Sequence, residues 1–359
     1  MTVCILGNGL SALALAKALV NQNINVDILF IKKNLQFNKS RTIGISKSNT
    51  VFFNKNIINI KNLLWKLKEI EIYSDNLKKE KLINFKDNNE ELFSIIKNYK
   101  LHKILEKNLS KNKFFKKIEI SSRDSSFIDK YELIINTDYD NIVTKKFFSK
   151  RIVKKYNSFA YTTIIKHEKT LNKTASQIFT SKGPLAFLPI SNTETSVVYS
   201  IHNFPKKKNE SIEKLIKDKN FKYRIKDIAK ISCFELKSLN LRSYHHNNIL
   251  AFGDLLHKIH PLAGQGFNMT IRDIKILLKI IKRKCDLGLS LDSSVNTEFE
   301  DNLKHKNFIF SNGVDFIHEF FNLERKIKNN FLSKSVQFIG KQPVVNKIFS
   351  KIADKGILF

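Results

Sequence analysis

Two glycine-bearing segments hold the residues best suited to chemistry. The first is Gly7-Asn8-Gly9-Leu10-Ser11-Ala12, which fits G-x-G-x-x-G/A. In that pattern the first glycine permits a tight turn and the second lets the backbone approach a pyrophosphate. The small third residue lets a helix pack closely on a strand. The helix that follows would present free N–H groups and a positive dipole end to phosphate oxygens. Gly7, Gly9 and Ala12 are therefore expected to cradle a nucleotide.

The second segment runs Gly253-Asp254-Leu255-Leu256-His257-Lys258-Ile259-His260-Pro261-Leu262-Ala263-Gly264-Gln265-Gly266-Phe267-Asn268. Asp254 follows a short apolar run and could accept hydrogen bonds from a polyol. Pro261 fixes the backbone. Gly264 and Gly266 would let a flat ring come close, with a helix N-terminus aimed at it to stabilise a developing anion. His260 is the nearest candidate for a proton-transfer role. A packing or hydrogen-bonding role suits it equally.

The elements around these segments are readable from periodicity. Thr2 to Leu6 predicts a buried strand, Ser11 to Asn21 a helix, and Asn25 to Ile31 a second buried strand. This is a βαβ unit that starts a parallel sheet. Residues 74–91 are the most polar stretch and predict a loop or short exposed elements. Tyr131 to Asn136 predicts another buried strand. Alternation in Tyr161 to Ile165 and Thr195 to Ile201, with Gly-Pro-Leu-Ala-Phe-Leu-Pro between them, predicts an antiparallel sheet. Asn209 to Lys230 and Asn268 to Lys284 read as helices, and 296–359 as mostly helical. Phe349, Ile352 and Phe359, interspersed with lysines, suit an amphipathic surface helix or ordinary packing.

The second segment closely resembles the flavin-contacting G-D-x-x-H-x-x-x-P-x-x-G-Q-G-x-N motif of FAD-dependent aromatic-ring monooxygenases, the para-hydroxybenzoate hydroxylase class. With Arg272-Asp273 after it, it looks most like the ubiquinone-biosynthesis ring hydroxylases. Ser40-Arg41-Thr42-Ile43-Gly44-Ile45-Ser46 and Gly183-Pro184-Leu185-Ala186-Phe187-Leu188-Pro189-Ile190 are similar to further stretches of that class. The resemblance implies an α/β chain: a Rossmann-like FAD-binding domain with a parallel sheet, an antiparallel-sheet substrate domain, and C-terminal helices. The implied boundaries are 1–73, 99–150 and 243–290 for the first, 74–98 and 151–242 for the second, and 291–359 for the third.

It also implies the site. Asp254 would hold the ribityl chain of FAD. The loop from Pro261 to Gly266, including Gln265, would line the isoalloxazine ring. Arg41, Asp138, Gly253 and Asn268 complete the expected cofactor set. NAD(P)H is the expected co-substrate, and the reaction is hydroxylation of a polyprenylated phenol. A quinone-biosynthesis complex is the expected assembly. The sequence departs from the class pattern in several places. Phe30, Ile31, Lys32 and Lys33 stand where an acidic residue would bind the ribose, with Asp27 too early. Tyr139 replaces a glycine after Asp138, and His102 or Lys103 replaces an arginine. These departures keep open a second reading, a catalytically weakened subunit that scaffolds such a complex.

Charge and cysteines bound the remainder. The 63 basic residues against 33 acidic ones give a net charge of +30. Only eight are arginine, and the lysines are mostly scattered, as AT-rich coding bias would produce. A nucleic-acid site would favour arginine forks, so none is expected. Contact with an anionic membrane surface is compatible with the charge. Cys4, Cys233 and Cys285 lie far apart and suggest neither a metal site nor a disulfide framework. No run of 18 uncharged apolar residues occurs. A cytoplasmic location, peripheral at the inner face of the membrane, is the expectation.

Overall fold

The computed structural model describes residues 2–32, 38–77, 80–86, 91–202, 211–260, 264–327 and 331–356. The N-terminal βαβ unit forms as its pattern predicts. β1 (Thr2–Leu6) pairs in parallel with β2 (Asn25–Phe30), and α1 (Leu10–Val20) connects them. Nearly every side chain of β1 and α1 is buried, because the strand lies centrally in its sheet and the helix is covered in turn. Such burial on both faces explains the continuous apolar runs. The helix α3 (Asn98–Leu109) packs on α1.

A small sheet comes next, of β3 (Thr42–Ser46), β4 (Trp65–Leu67) and β7 (Phe93–Lys97), in the order β3-β7-β4. The helix α2 (Lys47–Asn56) leaves β3 directly. The first sheet is completed by β8 (Phe115–Glu119), β9 (Ile134–Asn136), β16 (His245–His246) and β17 (Ile249–Ala251), in the order β16-β17-β9-β1-β2-β8. The short helix α4 (Ile142–Phe147) follows β9.

The largest sheet has nine strands. Its members are β5 (Glu69–Ser74), β6 (Lys81–Lys86), β10 (Arg151–His167), β11 (Thr174–Thr180), β12 (Gly183–Pro189), β13 (Glu194–His202), β14 (Ile225–Ile228), β15 (Ser232–Leu241) and β18 (His257–Lys258). The order is β18-β15-β10-β13-β12-β11-β5-β6, with β14 beside β10. All pairs are antiparallel except β11 with β5. The strand β12 shows why the Gly183–Pro189 segment reads as it does. Leu185 and Phe187 enter the second hydrophobic core, and Ala186 and Leu188 face the other way.

Two sequence expectations need correction. Residues 81–86, where the sequence predicts a loop or short exposed elements, form a partly buried strand: Ile83 and Phe85 sit across from Ile72 and Ile70, and apolar cross-strand pairs stabilise a hairpin. The expected helix over 209–230 is only α5 (Ile212–Lys219), and β14 follows it. The cause is local. The Asn220 side chain accepts from the Tyr223 amide at 3.0 Å and donates to the Tyr223 carbonyl at 2.6 Å. That turn competes with helix propagation.

Four helices complete the chain: α6 (Gln265–Asp286), α7 (Ser293–Ile327), α8 (Phe331–Gly340) and α9 (Pro343–Lys355). No described helix is long and apolar enough to cross a membrane.

Candidate FAD and substrate site

One cavity of about 1460 Å³ lies between the first sheet, the inner face of the nine-stranded sheet and the C-terminal helices. Pockets for single drug-sized ligands run from roughly 300 to 1,000 Å³, so this one has room for more than one molecule. One end is polar and glycine-rich, with Asn8, Gly9 and Ser11 from the first turn, and Asp254 from the second glycine segment. The other end is apolar, with Ile72, Ile83, Phe85, Phe179, Val314 and Phe321.

The glycines divide by what a side chain there would meet. Gly7 has φ +106, and a Cβ would stand 2.5 Å from Thr137 Oγ1. Gly253 has φ +63, and a Cβ would stand 2.7 Å from Ser11. These two serve the backbone turn itself. At Gly9 and Gly266 a Cβ would meet nothing within 4 Å, and both line the cavity. Their missing side chains leave open space in front of the first turns of α1 and α6. That space is what a pyrophosphate and a flat ring require of two helix N-termini.

Two buried acceptors at the cavity wall have no partner among the described residues, Asn8 Oδ1 and Gln265 Oε1. Orphaned buried acceptors are costly unless a ligand or water satisfies them. They suit the hydroxyl and ring N–H donors of a flavin nucleotide. The residues present therefore fit FAD.

The flank near Asp254 is positively charged. Lys258 faces Leu239 across β18 and β15, which places Lys237 diagonally beside it on the same sheet face. Burial pushes the Lys258 ammonium below its ordinary range, and the nearby Lys237 and Arg41 push it further. Arg41, Lys237 and Lys258 all line the cavity. They offer a phosphate-bearing molecule a site whose charge is only partly offset by Asp254.

The loop that turns into α6 is held from both sides. Gly264 is left-handed at φ +63, and a Cβ on it would stand 3.5 Å from the Gly44 Cα. Asn268 is fully buried. Its Oδ1 accepts from the Ser46 amide at 2.9 Å and from Asn49 Nδ2 at 2.9 Å. Its Nδ2 donates to the carbonyls of Gly44 at 3.0 Å and Gly264 at 3.1 Å. One step deeper, His257 pairs with Asp273 of α6, which also accepts from Asn307 at 3.3 Å. Burial alone would lower the His257 imidazole, but the Asp273 carboxylate outweighs it and holds His257 above its ordinary value.

The expected site residues fall into groups. Gly9, Arg41, Asp254, Gly264, Gln265 and Gly266 line the cavity. Gly7, Ala12, Gly253 and Asn268 lie behind the wall and shape it. Asp138 is buried, and its Oδ1 accepts from the Asp140 amide at 3.0 Å, forming the turn that carries Thr137 and Tyr139 to the wall. Pro261 lies outside the described residues. His260 does not line the cavity. It is buried edge-on to Tyr156 and tilted against His318, at centroid distances of 4.9 and 4.4 Å, and neither ring nitrogen has a hydrogen-bond partner among the described residues. Burial first, then the neighbouring His318, push it well below its ordinary value.

The departures from the class pattern also have places. The Tyr139 hydroxyl donates to the Asp254 main-chain carbonyl and so ties the two cofactor turns together. His102 Nε2 lies 3.0 Å from the Asn8 carbonyl, beneath the first glycine turn. Asp27 accepts from the Tyr131 hydroxyl at 2.7 Å and is spent there. The C-terminal helix expected around Phe349 and Ile352 forms as α9, but the sequence does not place it at the cavity wall, which its residues from Lys347 to Lys355 reach. Its signal was present in the regular spacing of Lys347, Lys351 and Lys355 beside Val344, Ile348 and Ile352.

Comparison with known proteins agrees with this geometry. Residues 141–284 match the FAD binding domain family. The chain is 29% identical over 149 residues to 3-demethoxyubiquinol 3-hydroxylase of Escherichia coli, covering 40% of this chain and 38% of that protein. It is 24% identical over 229 residues to the mitochondrial ubiquinone biosynthesis monooxygenase COQ6 of Danio rerio, covering 52% of this chain and 47% of that protein. The matched stretches thus span less than half of either relative. Solved structures share the fold over nearly the whole chain. The p-nitrophenol 4-monooxygenase PnpA of Pseudomonas putida superposes with a TM-score of 0.77 at 12% identity, covering 99% of this chain and 100% of its own. HpxO of Klebsiella pneumoniae, complexed with FAD and uric acid, gives 0.76 at 11% identity, covering 99% and 97%. The α/β fold with parallel and antiparallel sheets and C-terminal helices is shared with these structures and with PqsL of Pseudomonas aeruginosa, a probable FAD-dependent monooxygenase.

Proposed function

We propose that this protein is an FAD-dependent monooxygenase that hydroxylates the aromatic ring of a polyprenylated phenol in ubiquinone biosynthesis, with O2 and NAD(P)H as co-substrates. The observation that carries the reading is the two-ended cavity. A nucleotide cradle with two open glycine positions runs continuously into an apolar chamber, across a loop held by Asn268. The named relatives support the pathway.

Bound FAD supplies the oxygen-activating redox chemistry. The chain's own residues position and enclose the reactants. The turns at Gly9 and Asp254 bind the nucleotide and ribityl portions. Gly264, Gln265 and Gly266 border the ring. Ile72, Phe179, Val314 and Phe321 keep water from the reacting centre and accept an apolar chain. Arg41, Lys237 and Lys258 suit the phosphates of a dinucleotide electron donor. We place the enzyme in a quinone-biosynthesis complex at an anionic membrane surface. The open cradle favours a working enzyme over a scaffold that has lost its cofactor.

The test is reconstitution of the purified chain with FAD, followed by NAD(P)H oxidation with and without a prenylated phenol and mass analysis for one added oxygen. Stimulated oxidation with an oxygenated product is expected. Failure to retain flavin sinks the proposal. Tight flavin without turnover on any quinone precursor favours the scaffold.

A further inference from the structure

The helix α9 is inside out. A surface helix of a globular protein normally buries its apolar stripe and shows its polar face to water. Here the buried side is polar. Asp354 Oδ1 accepts from the Ser48 amide at 2.8 Å, and the Asp354 carbonyl accepts from the hydroxyls of Ser46 and Ser48, both at 2.9 Å. Gln265 Nε2 donates to the Ala353 carbonyl at 3.2 Å, and Asn346 Nδ2 donates to the Asn84 carbonyl at 2.9 Å. The outward side carries Val344, Ile348, Phe349 and Ile352, with Val344 70% exposed. Positions 344, 348 and 352 form one stripe at helical spacing.

The apolar surface extends beyond α9. Phe338 of α8 is 70% exposed and Phe316 of α7 is 69% exposed. About half of the exposed large apolar side chains among the described residues lie on α7, α8 and α9. Concentration on this scale marks an interaction surface.

Charge identifies what it meets. Lys334 of α8, Lys341 in the turn that follows it, and Lys347, Lys351 and Lys355 of α9 are all exposed. The one carboxylate of these two helices, Asp354, is turned inward to Ser48. Lys347, Lys351 and Lys355 run as a second stripe beside the apolar one. Long lysine stems lie along apolar surface while their ammonium groups reach polar headgroups. A second copy of this chain would bring lysine stripes together, which repel.

We propose that α9, with the adjoining faces of α8 and α7, docks in the plane of an anionic lipid bilayer, with its apolar stripe in the headgroup boundary and its lysines at phosphate level. Phe316, Ile317, Phe349 and Ile352 belong both to this surface and to the cavity wall. Docking therefore sets the apolar end of the cavity against the bilayer, so that a long apolar chain passes between lipid and protein without crossing water. This last step rests on the substrate reading above; the docking itself does not.

The experiment is flotation of the full chain, with and without added FAD, on vesicles of phosphatidylglycerol and phosphatidylcholine or of phosphatidylcholine alone. The expected result is flotation with the anionic vesicles, weakened by salt. The double variant Val344→Glu/Ile348→Glu and, separately, Lys334→Glu/Lys341→Glu should each bind at least tenfold more weakly, with unchanged melting and oligomeric state. None of these four side chains is assigned to the cofactor site. Absence of wild-type flotation, equal flotation of the Val344→Glu/Ile348→Glu variant, or a patch-dependent dimer that ignores vesicles overturns the proposal. Vesicle binding by a chain that takes up no flavin leaves the docking surface standing and removes the catalytic reading.

Discussion

Asn268 donates to the carbonyl of Gly44 at 3.0 Å, joining two segments 224 positions apart. The same side chain holds Ser46, Asn49 and Gly264, so both of its polar atoms are fully used. Asn268→Ala leaves these partners unsatisfied. It should destabilise the protein by about 2–4 kcal/mol, since each orphaned buried group costs roughly 1–3 kcal/mol with partial relaxation. Flavin affinity should fall with it, because Gly264 loses its tether. Chemical denaturation and flavin titration check both effects. Unchanged stability would mean that the clamp contributes nothing.

Gly9 and Gly7 should respond differently. Gly9→Val fills open space at a backbone angle that any residue adopts, so melting of the flavin-free protein should hardly move. Flavin affinity should drop by about tenfold or more, equivalent to roughly 1.4 kcal/mol. Gly7→Ala forces a Cβ into Thr137 at positive φ and should destabilise the flavin-free protein by about 1–3 kcal/mol. A melting loss in Gly9→Val equal to that in Gly7→Ala would refute the division.

The His257–Asp273 pair sets an alkaline limit. His257 is raised in the fold, so its contribution is full below an unfolded value of about 6.5 and is lost as pH rises through the folded value. Asp273→Asn should cost about 3–5 kcal/mol at pH 6, as removal of one partner of a buried pair does. The gap from wild type should narrow toward alkaline pH. A gap independent of pH between 6 and 9 would contradict this pairing.

His260 sets the opposite limit, three residues away. Burial and His318 hold it neutral, so protons bind the unfolded chain more readily than the fold. Stability should fall as pH drops below about 6.5 and be unaffected above it. His260→Phe, which keeps a ring edge-on to Tyr156, should flatten that acid limb while leaving flavin affinity unchanged. Loss of flavin affinity in this variant would return His260 to the cofactor site.

Much of this was readable without coordinates. The βαβ unit was legible because β1 and α1 are buried on all sides, which leaves unbroken apolar runs. That Gly9, Asp254 and Gly266 line one cavity follows from two glycine-bearing segments that the sequence singles out, the glycines for backbone approach and Asp254 for its carboxylate. The difference between Gly9 and Gly7 was not, since it depends on Thr137 from a distant turn. Asn268 sits within the motif, yet only the fold shows that it is a clamp and not a cofactor contact. The strand β6 was hidden by its two lysines and Asn84, because its pairing partner β5, not its own polarity, decides its state. The role of α9 was hidden because amphipathicity does not say which side faces inward.

The bonds from Ser46 and Ser48 to Asp354 have a consequence for biosynthesis. The nucleotide turn leaves the ribosome long before α9, which follows it by almost the whole described chain. At synthesis rates of about 5–20 residues per second, the glycine turn waits many seconds for its final wall. Until then the polar serines of β3 and α2 lack their carboxylate and carbonyl partner. A nascent chain would thus gain a complete cofactor chamber at the same late stage at which it first displays the outward apolar stripe of α9.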